Sequence, residues 1–229
     1  MNKPLALPEI EWNKDIVSSK TVSGFVQFVF TAISKVLMPI FWAHIEVLNQ
    51  PPKQSTAGIL LLANHKSYYD ALIVGNSFPL FSKFRPIRFF SKDELFLKPL
   101  SRLFFTLAGA FPAYYGAGLA RSLKIPKRLL EQNQVVCMFP EGRCVRDETL
   151  GEGKTGAAVL AQMVQGVKIV PMGIRGAYKI RWGFLKLPTV RVAFGEPFAL
   201  RDKIDVTTAT KEQITELFMA EIAAVYSQL

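Results

Sequence analysis

Two uninterrupted apolar runs, Gly58-Ile-Leu-Leu-Leu-Ala63 and Val135-Val-Cys-Met-Phe139, do most to limit what this chain can fold into. A strand built from either run is buried, as strands inside an α/β sheet are. Each run breaks off into a short polar segment. Asn64-His65-Lys66-Ser67-Tyr68-Tyr69-Asp70 follows the first, and Pro140-Glu141-Gly142-Arg143 follows the second. Both segments therefore sit where buried strands leave a sheet, which is where open α/β folds place their sites.

The rest of the chain repeats the alternation. Strands are expected over 58–63, 86–90, 109–113, 135–139, 168–174 and 190–195. Helices are expected over 68–78, 93–107, 117–132, 155–165 and 208–227. The pattern predicts an α/β fold: a single domain with a mixed, largely buried sheet flanked by helices, preceded by a hydrophobic, amphipathic N-terminal helical segment. Pro51-Pro52-Lys-Gln-Ser-Thr56 is the best internal boundary, giving an N-terminal membrane-associating segment and linker over 1–56 and the α/β domain over 57–229.

Residues 21–48 read as one long helix whose apolar face includes Phe25, Val29, Ile33, Val36 and Ile40, interrupted by Gln27, Ser34 and Lys35. A membrane span wants about 20 nearly uninterrupted apolar residues, and Lys35 with Pro39 falls near the middle of this stretch. The expectation is an amphipathic helix lying in a membrane plane or partly inserted, kinked at Pro39. Packing of the same face on the core is the alternative.

Composition narrows the partners. The 229 residues carry a formal charge of +10, half are hydrophobic, and 18 are Phe. A basic, Phe-rich chain suits an anionic membrane surface, each nearby Lys or Arg contributing about 1 kcal/mol. No nucleic-acid-binding motif accompanies the charge, so nucleic acid is not an expected partner. Between 81 and 105, Phe81, Phe84, Phe89, Phe90, Phe96, Phe104 and Phe105 interleave with Lys83, Arg85, Arg88, Lys92, Lys98 and Arg102. That stretch reads either as a membrane-facing, anion-binding surface or as a buried strand and helix with solvated cations. Met1 to Lys20 is mostly polar, so no signal peptide is expected. Cys137 in an apolar strand and Cys144 in a polar loop suggest no disulfide framework. Gly153-Lys154-Thr155 lacks the glycine five residues earlier that a P-loop requires, Glu148 standing there.

The chemistry centres on His65. It is one of two histidines, the other being His44, and only His65 has an acid shortly after it. Imidazole takes a proton near neutral pH, and a carboxylate fixes its tautomer and stabilises its charged form. His65 and Asp70 lie five residues apart, roughly 140° around a helix, so they cannot share a helix face. Ser67 as N-cap with Asp70 at the third helical position leaves His65 in the preceding loop, free to curl back. Asp70 as a plain helix cap is the competing reading.

These residues resemble the glycerolipid acyltransferase family, which includes 1-acylglycerol-3-phosphate acyltransferases. Asn64, His65 and Asp70 match its N-H-x4-D motif, and Phe139 to Arg143 its F-P-E-G motif with a following basic residue. Lys154-Thr-Gly156-Ala-Ala, Val170-Pro171-Met172 and Gly195-Glu-Pro-Phe198 resemble later family stretches, so the likeness spans about residues 57–200 in order. Two departures stand out. Arg143 lies two residues after Glu141, where the family often has three, and Cys144 takes the usual Arg position. The intervening motif Gly109-Ala-Phe-Pro-Ala-Tyr-Tyr-Gly-Ala-Gly118 lacks its Arg, the next being Arg121.

The resemblance implies a membrane-surface O-acyltransferase on the cytoplasmic face. It would move an acyl group from acyl-CoA or acyl-carrier protein to a lysophospholipid hydroxyl, foremost 1-acylglycerol-3-phosphate to give phosphatidic acid. Another hydroxylated acceptor, or hydrolysis of a thioester or lipid ester by the same pair, is the alternative. His65 is the expected base and Asp70 its orienting carboxylate. Arg143 and Lys154, with Arg146 or Lys92, are expected to hold anionic groups, and Glu141 and Gly142 to shape the loop or meet acceptor hydroxyls. Ser67 and Cys144 receive no covalent role. No cofactor is expected, and the spacing suggests no metal site.

Overall fold

The five residues Ile59–Ala63 are all buried, and they form the central strand from which the rest of the architecture follows. The computed structural model describes residues 20–49, 51, 56–80, 86–114, 118–180 and 187–229. In chain order the elements are helix α1 (Lys20–Phe41), β1 (His44–Val47), β2 (Ile59–Ala63), α2 (Asp70–Ser77), β3 (Ile87–Ser91), α3 (Pro99–Leu107), β4 (Ala110–Pro112), α4 (Leu119–Glu131), β5 (Val135–Met138), α5 (Gly156–Met163), β6 (Lys168–Arg175), β7 (Thr189–Phe194), β8 (Phe198–Ala199) and α6 (Lys211–Tyr226).

The sheet is mixed, in the order β1-β7-β6-β2-β5-β3-β4, with β8 on the start of β6. Strand β2 runs parallel to both neighbours, pairing Leu61 with Cys137 on β5 and with Val170 on β6. Among the described strands, β7 and β8 run antiparallel, both against β6. Successive side chains on a strand point to opposite faces, and β2 shows the division. Ile59, Leu61 and Ala63 join the layer containing Ile73, Val74 and Phe78 at and beside α2. Leu60 and Leu62 join the layer containing Leu123 of α4, Leu160 of α5 and Phe218 of α6. The α/β class, the mixed sheet and its flanking helices match the expectation.

Four local expectations are corrected. The helix predicted over 21–48 stops at Phe41, and residues 44–47 form β1, paired in parallel with β7 at the sheet edge. Pro39 lies in the helix's last turn, so the helix ends near it instead of continuing beyond a kink. The helix predicted over 93–107 divides into a 3-10 turn, Asp93–Phe96, and α3, because Pro99 takes the first helical position, where its missing N–H goes unused. The cations of the Phe-rich stretch are not all solvated. Arg88 is only 1% exposed, its Nε donating to Gln134 Oε1 and Nη1 to Ser23 Oγ, both at 2.9 Å. Phe81, Lys83, Phe84 and Arg85, linker residues 52–55, and 115–117 within the Gly109–Gly118 stretch lie outside the described residues.

Helix α1 docks with its polar side inward. Ser23, Gln27 and Thr31, spaced four apart on one face, are buried. Gln27 donates to Ile87 O at 2.5 Å and to Ala108 O at 2.9 Å, and accepts from Ile87 N at 2.8 Å, standing in for a neighbouring strand. Gly109 permits this approach: it has φ +91°, and a Cβ there would collide with the Gln27 amide. Lys35 Nζ donates to Asn76 O at 2.7 Å, tying α1 to α2. The opposite side leaves Phe25 68% and Val36 61% exposed, together with Ile33 and Ile40.

Candidate active site

Asn64 fixes the point at which the chain leaves the sheet. Its amide donates to Ile174 O at 2.8 Å and accepts from Ile174 N at 2.7 Å, extending the β2–β6 ladder by one side chain. The next residue, His65, is gripped through its backbone by the other strand-end loop. Its N–H donates to Glu141 Oε2 at 2.9 Å, and its carbonyl accepts from Val145 N at 2.7 Å. The ring stacks on Phe139, with centroids 4.4 Å apart and planes 18° from parallel.

The His65 side chain is 21% exposed and that of Asp70 is fully buried, with Nδ1 and Oδ2 2.7 Å apart. Asp70 Oδ2 also accepts from Lys66 N at 2.6 Å and Ser67 N at 2.9 Å, while Oδ1 accepts from Ser67 Oγ at 2.9 Å. A carboxylate surrounded by donors is an acceptor, so Nδ1 carries the proton and Nε2 presents its lone pair. The expected cap is formed only in part. Asp70 does accept from Ser67 N, but Ser67 Oγ accepts from Tyr69 N at 3.1 Å, and the helix proper begins at Asp70. The carboxylate has turned back into the loop, where it holds the His65 ring and the backbone of Lys66 and Ser67 together.

Glu141 is a brace. Buried to 2% exposure, it accepts from His65 N through Oε2 and from Gly151 N through Oε1 at 3.0 Å, holding two loops together. Gly142 has φ +63°, and a Cβ there would press within 3.0 Å of Lys154 Nζ, so glycine lets the lysine lie across the turn. Arg143, Arg146, Lys92 and Lys154 are all exposed. Two of them gather on Tyr68, with Arg146 Cζ 5.0 Å and Lys92 Nζ 5.7 Å from its ring centroid. In the stretch that lacks the family's Arg, Tyr114 adopts φ +49° and receives Arg121, whose Cζ lies 4.9 Å from the ring centroid.

Two residues acquire roles that sequence reading did not assign. Cys144 Sγ lies 3.2 Å from His65 Nε2, delivered there by the Val145–His65 backbone bond. Burial is the main cause that holds this thiol above its usual range, with Asp70 adding to it, so it is the proton-bearing partner of the pair. Lys66 is fully buried, donates to the Thr149 carbonyl and lies 5.3 Å from the Tyr226 ring centroid. Burial lowers its pKa, against the pull of Glu141 and other nearby carboxylates. In sequence Lys66 is one of the unspecified positions between His65 and Asp70, and no periodicity marks it as buried. Beyond it, the Tyr178 hydroxyl and the Arg175 and Lys179 cations push the Glu148 carboxyl down to about 2. That cluster's contribution to stability is present above the ordinary carboxylate range and is lost as pH falls through about 2.

A family model described as Acyltransferase matches residues 44–175, more than half of the chain. The chain belongs to the acyltransferase family. Among its relatives in that family, a chloroplastic 1-acyl-sn-glycerol-3-phosphate acyltransferase of Arabidopsis thaliana is 28% identical over 179 residues, covering 76% of this chain and 48% of the relative. A probable 1-acyl-sn-glycerol-3-phosphate acyltransferase of Mycoplasma pneumoniae is 31% identical over 132 residues, covering 57% and 49%. The chain thus spans about half the length of these curated relatives. The crystal structure of the 1-acyl-sn-glycerophosphate acyltransferase PlsC from Thermotoga maritima superposes with a TM-score of 0.65 at 18% identity. It covers 89% of this chain and 78% of that one, showing the acyltransferase fold.

Proposed function

We propose that this protein transfers an acyl group from a thioester donor, acyl-CoA or acyl-carrier protein, to the free hydroxyl of a lysophospholipid, foremost 1-acylglycerol-3-phosphate. The observation that carries the reading is the partly exposed His65 ring, held by a buried carboxylate with Nε2 placed to accept a proton. The acceptor hydroxyl loses its proton to Nε2 as its oxygen attacks the thioester carbonyl. The tetrahedral intermediate collapses, the C–S bond breaks, and the imidazolium returns its proton to the departing thiolate. Asp70 keeps the ring oriented and stabilises its charged state. Arg143, Lys154, Arg146 and Lys92 supply positive charge for the acceptor's head group and the donor's phosphates. The names borne by the relatives agree with such an acceptor. Incubating the purified protein with labelled acyl donor and a panel of lysolipids tests this. Acylated lipid is the expected product, and free fatty acid alone would mean a hydrolase.

The missing Arg in 109–118 makes acceptor selection measurable. The resemblance associates that Arg with the acceptor's phosphate, and here Arg143 is expected to take over the contact, a charge-assisted bond worth about 1.5–3 kcal/mol. Lysophosphatidate should therefore outcompete a lysolipid with a diester head group, and Arg143→Ala should raise KM for the monoester by roughly ten- to a hundredfold. Indifference of the wild type to the monoester would mean a different acceptor.

Membrane association is supported by α1, 20 residues of which, Val22–Phe41, are long and apolar enough to cross a bilayer. Its inward polar face, fixed on the domain by Ser23 and Gln27, favours docking in the plane of the surface over spanning. Leu100, Leu103 and Phe104 of α3 continue the apolar surface, with Phe104 meeting Phe30 edge-on at 5.2 Å. Replacing Phe25, Ile33 and Val36 together by Glu is expected to abolish binding to anionic vesicles without unfolding the protein. High salt should release part of the wild type. Resistance of the wild type to both salt and alkaline carbonate would indicate integral insertion instead.

A further inference from the structure

Arg146 is an exposed cation on a loop, yet the backbone on both sides of it is tied down. On one side, Val145 N donates to the His65 carbonyl at 2.7 Å. On the other, Glu148 O accepts from the Tyr226 hydroxyl at 3.0 Å, and the Thr149 carbonyl accepts from Lys66 Nζ. Asp147 closes the turn between them, its Oδ1 accepting from Thr149 N at 2.8 Å. Lys66 is the unusual member of this set. Its side chain is wholly buried, whereas lysine is almost never fully buried unless it is paired. Its backbone N–H belongs to the loop of the His65–Asp70 pair, donating to Asp70 Oδ2 at 2.6 Å, while its ammonium reaches into the next loop. One residue therefore joins the proposed base to the segment that carries Arg146. The ammonium also lies 5.3 Å from the ring centroid of Tyr226, the last residue of α6 and outside the stretch that the family model matches.

We propose that Lys66 is a positioning residue: with Tyr226 it clamps the backbone of Glu148 and Thr149 and so holds Arg146 where the acceptor's phosphate docks. The inference rests on the acyl transfer to an anionic lysophospholipid proposed above, and it gives Lys66 no contact with either substrate. On an untethered loop, an arginine and its backbone must be ordered when the anion binds, and that ordering weakens affinity. The clamp completes the ordering during folding. Arg146 already rests on Tyr68, two residues beyond Lys66, with its Cζ 5.0 Å from the ring centroid. The charge of Lys66 matters as well as its reach. It faces Glu141, Asp147, Glu148 and Asp70, four carboxylates around a site proposed to take an anion. Arg175 and Lys179 pair with Glu148 from the exposed side, and Lys66 offsets the group from within.

Lys66→Met tests the clamp, because methionine fills the buried space, and exchanging a buried charge for an apolar group of similar volume is often neutral for stability. With acyl-CoA as donor, KM for lysophosphatidate should rise about tenfold while kcat and the KM for acyl-CoA stay within about twofold, the pattern of lost uniform binding. Titration with lysophosphatidate in the absence of donor should show the same weakening. In an Arg146→Ala background the substitution should change KM by less than about twofold, since the group it positions is gone. Tyr226→Phe removes the hydroxyl bond to Glu148 O and keeps the ring, so KM should rise about threefold. Unchanged affinity for lysophosphatidate in Lys66→Met, or a tenfold loss that persists without Arg146, overturns the clamp. A fall in kcat with KM retained also overturns it, placing Lys66 with the base. Should Lys66→Met fail to fold, Tyr226→Phe decides, an unchanged KM counting against the clamp. A wild type that binds lysophosphatidate but forms no acylated lipid overturns the transferase reading instead, and the titrations still decide the clamp.

Discussion

His65→Ala should reduce acyl transfer by about 10²–10⁴-fold, the range that a positioned general base contributes. The fold should survive, because what holds this loop does not depend on the ring. The His65 backbone remains bonded to Glu141 and Val145, and Asp70 keeps its bonds from Lys66 N, Ser67 N and Ser67 Oγ. The substitution removes the ring's stacking on Phe139 and its bond to Asp70, which should lower stability by about 1 kcal/mol. Turnover of purified protein and a thermal melt check both parts. Near-native turnover in the mutant would remove His65 from the chemistry.

Asp70→Asn is expected to damage both activity and fold. The buried carboxylate faces four donors: His65 Nδ1, two backbone N–H groups and Ser67 Oγ. An amide offers one acceptor oxygen and turns its NH₂ toward the remaining donors. Each buried donor left unsatisfied costs about 1–3 kcal/mol, so the melting temperature should fall measurably. If the NH₂ faces the ring, it donates to Nδ1, the ring proton moves to Nε2, and the base is blocked. The loss of activity should then be roughly 10⁴-fold, as when the carboxylate behind a catalytic histidine becomes an amide in a serine protease. A mutant with a lowered melting temperature but full turnover in the cold would confine Asp70 to ordering the loop.

Why some of this architecture is legible in the sequence and some is not has a physical basis. Strands β2 and β5 lie inside the sheet, so they appear as unbroken apolar runs that no other element of that length explains. Strand β1, His-Ile-Glu-Val, lies at the sheet edge with an exposed pattern, and its letters do not distinguish it from the tail of a helix. His65 and Asp70 can be paired from sequence because they are close along the chain and complementary in chemistry. Cys144 meets His65 across 79 residues of chain, a juxtaposition produced by the parallel pairing of β2 with β5 and not by any local pattern. Periodicity identifies an apolar face on α1 but not what covers it, because a core and a lipid phase select the same residues. The buried Ser23–Gln27–Thr31 line decides which side meets the protein.

That line gives the N-terminal helix a second job. Ser23 shields the Arg88 guanidinium, whose pKa burial lowers to about 10, and Gln27 completes the hydrogen bonding of β3 where that strand begins. Cutting the helix away would uncover a cation and a strand edge that the folded protein otherwise keeps from water. The greasy surface is thus no detachable tail. A truncated chain should aggregate or melt early, not persist as a soluble catalytic fragment, and detergent or lipid is a natural component of any buffer in which the intact protein is handled.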